Sequence, residues 1–127
     1  MSERVWSIED HLEGRTDGVR EMYCRLIEMV ELCGPFTYAV SKTAITLKGT
    51  RRGFAGAIPK HDRLDGYVDL QRRVDDPRIL SSSPYTKRLF VLRFRLIDCG
   101  QLDGSFAALI REAYAVGQGA HLVSRRG

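Results

Sequence analysis

The stretch from Phe36 to Gln71 limits what this chain can fold into more than any other. It reads FTYAV-SKTAITLK-GTRRG-FAGAIPK-HDRLDG-YVDLQ, four short β-type runs separated by turn residues. Within the runs, side chains alternate with the period of 2 that half-buried antiparallel strands require. One parity collects Phe36, Tyr38, Val40, Ile45, Leu47, Phe54, Ile58, Val68 and Leu70. The other collects Thr37, Ala39, Ser41, Lys42, Ala44, Thr46, Ala55, Ala57, Tyr67, Asp69 and Gln71. Burying one large apolar side chain contributes about 1.5–3 kcal/mol. The first parity is therefore expected against helices, and the second, small or polar, is left open. The links Lys48–Gly53 and His61–Gly66 carry glycine where a hairpin favours positive φ. Val40-Ser41-Lys42-Thr43 turns without one, and Pro59, which cannot donate to a ladder, suits a strand end.

The flanks supply helices. Ser7 is placed to cap a short helix over Ile8–Glu13 that Gly14 stops, with Trp6 stapling its start. Thr16 or Asp17 then caps Gly18–Leu32, where Val19, Met22, Tyr23, Leu26, Ile27, Val30 and Cys33 form an i, i+3, i+4 stripe that Gly34-Pro35 ends. Arg72–Thr86 has no sustained period and reads as a long loop that could fold across the sheet. Lys87–Ile97 reads as a fifth strand, with Phe90, Leu92, Phe94 and Leu96 on one face and Leu89, Val91, Arg93 and Arg95 on the other. Asp103 or Ser105 caps a last helix, Gly104–Gly117. The expected fold is a single α+β domain over residues 1–127. It has an antiparallel sheet of about five strands, a four-strand meander plus a fifth after the loop, and two long helices packed on one face. Residues 1–17 are its lead-in and 120–127 a frayed tail.

Composition narrows the function by exclusion. The longest apolar runs fall well short of the ~20 residues of a membrane span, and the N-terminus lacks the apolar core of a secretory signal, so a cytoplasmic setting is expected. Cys24, Cys33 and Cys99 are odd in number and without CxxC spacing; they read as reduced, mostly buried thiols, with a catalytic thiol as the alternative. His11, His61 and His121 lie in separate segments without metal-ligand spacing, so neither a metal nor a cofactor is expected. No GxSxG elbow and no phosphate loop is present. The net charge of +4 permits an anionic ligand without demanding one.

The polar parity forms the candidate site: Ser41, Lys42, Thr46, Tyr67, Asp69, Arg93 and Arg95, joined by Tyr85 if the loop closes over the face, with Arg72 and Arg73 in reach. Arginine holds carboxylate or phosphate bidentately, and lysine adds a point charge. The bland alternative is a solvated face with cross-strand ion pairs of small worth. Three functions compete. The first is a binding module for an anionic small molecule. The second is a metal-independent enzyme using Lys42, Tyr67, Asp69 or His61 as acid and base, which requires two of them within hydrogen-bond reach. The third is a homodimer or partner surface. Nucleic acid is disfavoured by the 16 acidic residues spread along the chain and by an open face whose aromatics are almost limited to Tyr67.

Trp6-Ser7-Ile8-Glu9-Asp10-His11-Leu12, Gly34-Pro35, Ser41-Lys42-Thr43-Ala44-Ile45, Arg52-Gly53-Phe54-Ala55, Asp76-Pro77-Arg78, Leu102-Asp103 and Glu112-Ala113-Tyr114 follow one another along most of the chain. In that order they resemble a bacterial family of small domains, the domain of unknown function 5655. The family pattern has a His-His-Phe-like run at the start of the fifth strand. This chain has Lys87-Arg88-Leu89-Phe90 there, so no role for those histidines carries over. The resemblance implies the α+β fold and a bacterial, cytosolic setting, and no chemistry.

Overall fold

The structure, a computed structural model, describes residues 5–122. The expectation of a frayed tail falls mostly on residues 123–127, outside the described ones; Ala120–Leu122 form a 3-10 turn.

Helix α1 spans Ile8–Leu12 behind a complete capping box: Ser7 Oγ accepts from the Asp10 amide and Asp10 Oδ2 from the Ser7 amide. Trp6, one residue before the cap, meets His11 with ring centroids 6.3 Å apart, the staple position. Gly14, at φ 77°, turns the chain out of the helix, and Thr16 caps α2, Asp17–Glu31. After α2 come β1 (Thr37–Val40), β2 (Ile45–Lys48), β3 (Gly53–Pro59), β4 (Leu64–Leu70), β5 (Ile79–Thr86) and β6 (Leu89–Leu96), then α3 (Gly104–Gly117) with Asp103 as its cap. The class is α+β with a wholly antiparallel sheet in the order β1-β2-β3-β4-β6-β5. Helices α2 and α3 pack on one face of it and on each other. The core joins Val19, Met22, Leu26 and Val30 of α2 and Phe106, Ile110 and Ala113 of α3 to Ile45, Leu47, Val68, Leu92, Phe94 and Leu96 of the sheet. No helix among the described residues is long and apolar enough to cross a membrane.

The sheet has six strands rather than about five. The extra one, β5, lies inside the stretch expected to be a loop. It forms the outer edge, pairing with β6 from Ile79↔Phe94 to Thr86↔Leu89. A strand with one paired side and few buried residues needs no apolar alternation, and Pro84 is tolerated because an edge strand leaves half its amides unpaired.

The register also corrects the parity of β3. A bulge between Leu47 and Lys48 shifts the pairing, so Leu47 faces Ala55 while Lys48 faces Gly53. A one-residue shift exchanges the faces of everything beyond it. Phe54 stays buried against Tyr114 of α3, with ring centroids 5.4 Å apart, but Ala55 and Ala57 join the core instead of the open face. Ile58, expected inside, pairs with Asp65 and looks outward. The small core residues have a purpose. Ala57 pairs with Gly66, and a Cβ on Gly66 would overlap both the Phe94 ring and the Gly56 carbonyl oxygen. Nor do the hairpin glycines serve positive φ: among the described residues only Gly14, Gly34 and Gly119 adopt it. Gly49 is needed for space, since a Cβ there would overlap the Gly117 backbone and the Gln118 side chain. In the turn without glycine, Ser41 Oγ accepts from the Thr43 and Ala44 amides, both at 3.3 Å. Cys24 is exposed and Cys33 and Cys99 half-buried, not mostly buried as expected.

Candidate functional site

Across the face away from the helices, the register lines up Thr46, Gly56, Tyr67, Arg93 and Ser81 in one row. On one side of that row stand Ile58, Asp65 and Arg95, and on the other Asp69, Val91 and Ser83. The row divides two cavities.

The first, about 410 Å³, is lined by His11, Arg15, Lys42, Thr43, Ile58, Pro59, Lys60, Asp65 and Arg93. Its cations come from four separate segments: Arg15 from the α1–α2 turn, Lys42 from the β1–β2 turn, Lys60 from the β3–β4 turn and Arg93 from β6. None of these enters an ion pair among the described residues. Two bonds fix the walls. The buried His11 donates from Nε2 to the Ser41 carbonyl oxygen at 2.7 Å, which ties α1 to the turn bearing Lys42. Arg15 Nε donates to the His11 carbonyl at 3.1 Å. The one carboxylate among the described lining residues is already matched, because Arg95 Nε donates to Asp65 Oδ1 at 2.9 Å and Arg63 Nε to Oδ2 at 3.3 Å. Burial pushes the Asp65 carboxyl up, but the hydrogen bonds from Arg95 and Arg63 together outweigh it and hold the group below its ordinary value.

The second cavity, about 470 Å³, is lined by Arg52, Gly53, Tyr67, Asp69, Tyr85 and Val91. The Tyr67 hydroxyl shares a hydrogen bond with Thr46 Oγ1 at 3.1 Å. Arg52 bonds Asp69 Oδ2 at 2.6 Å and the Gly53 carbonyl at 2.8 Å, and its guanidinium stands 5.5 Å from the Tyr85 ring centroid. Asp69 is buried, and its Oδ1 has no hydrogen-bond partner. Burial raises the Asp69 carboxyl, and the neighbouring Arg52 opposes this without cancelling it. A third hollow, about 390 Å³, lies beyond Arg52 between Thr86–Leu89 and His121–Leu122. Burial pushes the His121 imidazole down, and Arg52 adds to the shift.

The structure therefore splits the expected site. Lys42 and Arg93 share the first cavity, while Tyr67, Asp69 and Tyr85 share the second, with Thr46 bonded to Tyr67 between them. Arg95 is committed to Asp65, and Ser41 shapes its turn. The stretch that could have folded across the sheet as a lid instead forms its edge strand. Tyr85 reaches the face from the end of an edge strand, but Arg72 pairs with Glu112 of α3, and Arg73 bonds the Ser82 carbonyl and covers Phe90. Among Lys42, Tyr67, Asp69 and His61, no two are hydrogen-bonded to each other.

Five titratable lining residues escaped the sequence analysis: His11, Arg15, Lys60, Asp65 and Arg52. Asp65 lies at the start of β4, inside the stretch expected to be a hairpin link, and the other four lie in turns or on α1, where no strand parity assigns a side. The one available signal was Lys60 following Pro59 at the end of a strand. Among the described residues, no three of His, Cys, Asp and Glu stand together as a metal-binding group would require.

The family described as Domain of unknown function (DUF5655) matches residues 8–117, a span that takes in both cavities up to α3. No curated protein and no solved structure matches the chain.

Proposed function

We propose that this chain, which belongs to the family described as Domain of unknown function (DUF5655), is a binding module for an anionic small molecule held in the first cavity. One observation carries the reading. Arg15, Lys42, Lys60 and Arg93 line a single hollow whose only carboxylate among the described residues, Asp65, is already neutralised by Arg95 and Arg63. Gathering unmatched cations costs energy through their mutual repulsion. A bound anion offsets that repulsion, and a pair of guanidiniums beside two ammonium groups suits phosphate or carboxylate oxygens. The three free thiols fit a reducing, cytoplasmic setting. An acid–base enzyme on this face has less support, because its candidate residues do not meet one another and Tyr67 is tied to Thr46.

Thermal unfolding in the presence of inorganic phosphate, sulfate or citrate tests the reading. A ligand at 100 times its Kd adds about 2.7 kcal/mol, a shift on the order of 10 °C for a domain of this size. The expected result is stabilisation by at least one of these anions that Lys42→Ala and Arg93→Ala each abolish. Equal stabilisation of the parent chain and both variants would remove the cavity as the site.

A further inference from the structure

The two cavities on the open face meet. Arg93, which lines the first, is the direct cross-strand partner of Tyr67, which lines the second. Paired side chains on one face of an antiparallel ladder stand about 5 Å apart. Along β4, Asp69 lies two residues beyond Tyr67, about 7 Å at the rise of a strand.

The second cavity has the character of a slot for a flat ring. The Tyr67 ring lies across Gly56, where any Cβ would overlap it, so the ring packs against bare backbone. Thr46 fixes the hydroxyl. Tyr85 and Val91 add apolar surface to the same hollow. Asp69 lines the slot too, with Oδ2 held by Arg52 and Oδ1 buried without a partner, an acceptor that lacks a donor. The charge of Arg52 is matched by Asp69. One cavity thus supplies surplus positive charge, and its neighbour supplies aromatic walls and a hydrogen-bond acceptor. Ring stacking on tyrosine and charge pairing with lysine and arginine are different demands, and few small molecules meet both.

We infer that the ligand is a phosphate ester bearing a flat, hydrogen-bond-donating ring, the class of the nucleoside monophosphates. The phosphate sits among Arg15, Lys42, Lys60 and Arg93, and the ring lies in the hollow that Tyr67 and Tyr85 line. This rests on the reading of the first cavity as an anion site and adds the second cavity to it.

Titration calorimetry of the full chain with AMP, GMP, CMP and UMP, against ribose 5-phosphate and inorganic phosphate, separates the two ideas. At least one nucleotide is expected to bind tenfold or more tighter than both ring-free phosphates. Tyr85→Ala changes a residue 63% exposed and is expected to fold. It should erase that tenfold excess while leaving the affinity for inorganic phosphate unchanged. Lys42→Ala should weaken all the probes. Equal affinity for nucleotides and ring-free phosphates, still lost in Lys42→Ala, would overturn the ring slot and leave the anion site standing. A nucleotide preference that survives Tyr85→Ala would also overturn the slot. Absence of binding by every probe would overturn both.

Discussion

Arg78 holds the segment after β4 against the last helix. Its side chain is 10% exposed, and the guanidinium makes paired bonds to Asp76 at 2.9 and 2.8 Å, with further bonds to Asp103 Oδ1, Ser105 Oγ and the Gln101 carbonyl. It also stands 5.5 Å from the Phe106 ring centroid. Removing a nearly buried partner leaves carboxylates and a carbonyl unmatched. Arg78→Ala is expected to cost about 2–3 kcal/mol in urea unfolding, less than a fully buried pair because Asp103 is half in water. Arg78→Lys should recover only part of this, since one ammonium cannot reproduce the paired contact with Asp76. Read as a sequence, Asp76-Pro77-Arg78 signals a turn and nothing more, because the partners it needs lie some 25 residues away in the α3 cap. Gly66 makes the same point about packing. Gly66→Ala should destabilise by about 1–3 kcal/mol through overlap with Phe94 and backbone. Gly56→Ala meets the Tyr67 ring, so its first effect is expected on ligand binding rather than on the urea midpoint.

Among the elements, β5 tests how far alternation can be trusted. The helices, β2 and β6 are legible because each buries one face, and burial forces a period on the sequence. Strand β5, ILSSSPYT, is exposed at most positions, so nothing selects a period there. The face exchange in β3 was hidden for a different reason. The run Phe54-Ala55-Gly56-Ala57-Ile58 alternates cleanly, but a bulge against Leu47–Lys48 sets which parity points inward, and a bulge is a property of the pair. Hydrogen exchange separates strand from loop directly. Amides of β5 that bond to β6 between Ile79 and Thr86 are expected to exchange more slowly than those of Arg72–Asp75, and faster than those of the central β4. Uniform fast exchange from Arg72 to Thr86 would restore the loop. The same edge position matters for the site, because it brings Tyr85 to the slot on a strand end.

At the scale of the molecule, the charge pattern fixes how stability depends on pH. Asp65, Asp76 and Asp103 are all lowered: Asp65 by its arginines against burial, Asp76 and Asp103 chiefly by hydrogen bonds from Arg78. For each, the unfolded chain binds the proton more readily. Their stabilisation is therefore present above the unfolded carboxylate pKa of about 3.9 and is lost as pH falls through the folded values. His121 acts in the same direction at higher pH. Burial lowers its folded pKa, so its contribution begins to be lost as pH falls below about 6.5. Asp69 runs the other way. Its carboxyl is raised by burial, so its ionisation costs stability as pH rises from about 3.9 to the folded value and adds no further change above it. With three carboxylates and an imidazole set against one carboxylate, the urea midpoint is expected to fall gently from pH 7 to 5 and steeply below pH 4. His121→Gln should flatten the first part and Arg78→Ala the second. A midpoint that stays level to pH 3 would mean that these ion pairs contribute nothing in solution. The same measurement bears on the ligand: a bound phosphate ester that neutralises Lys42 and Arg93 should raise the whole curve, and that gain should shrink as the phosphate is protonated in acid.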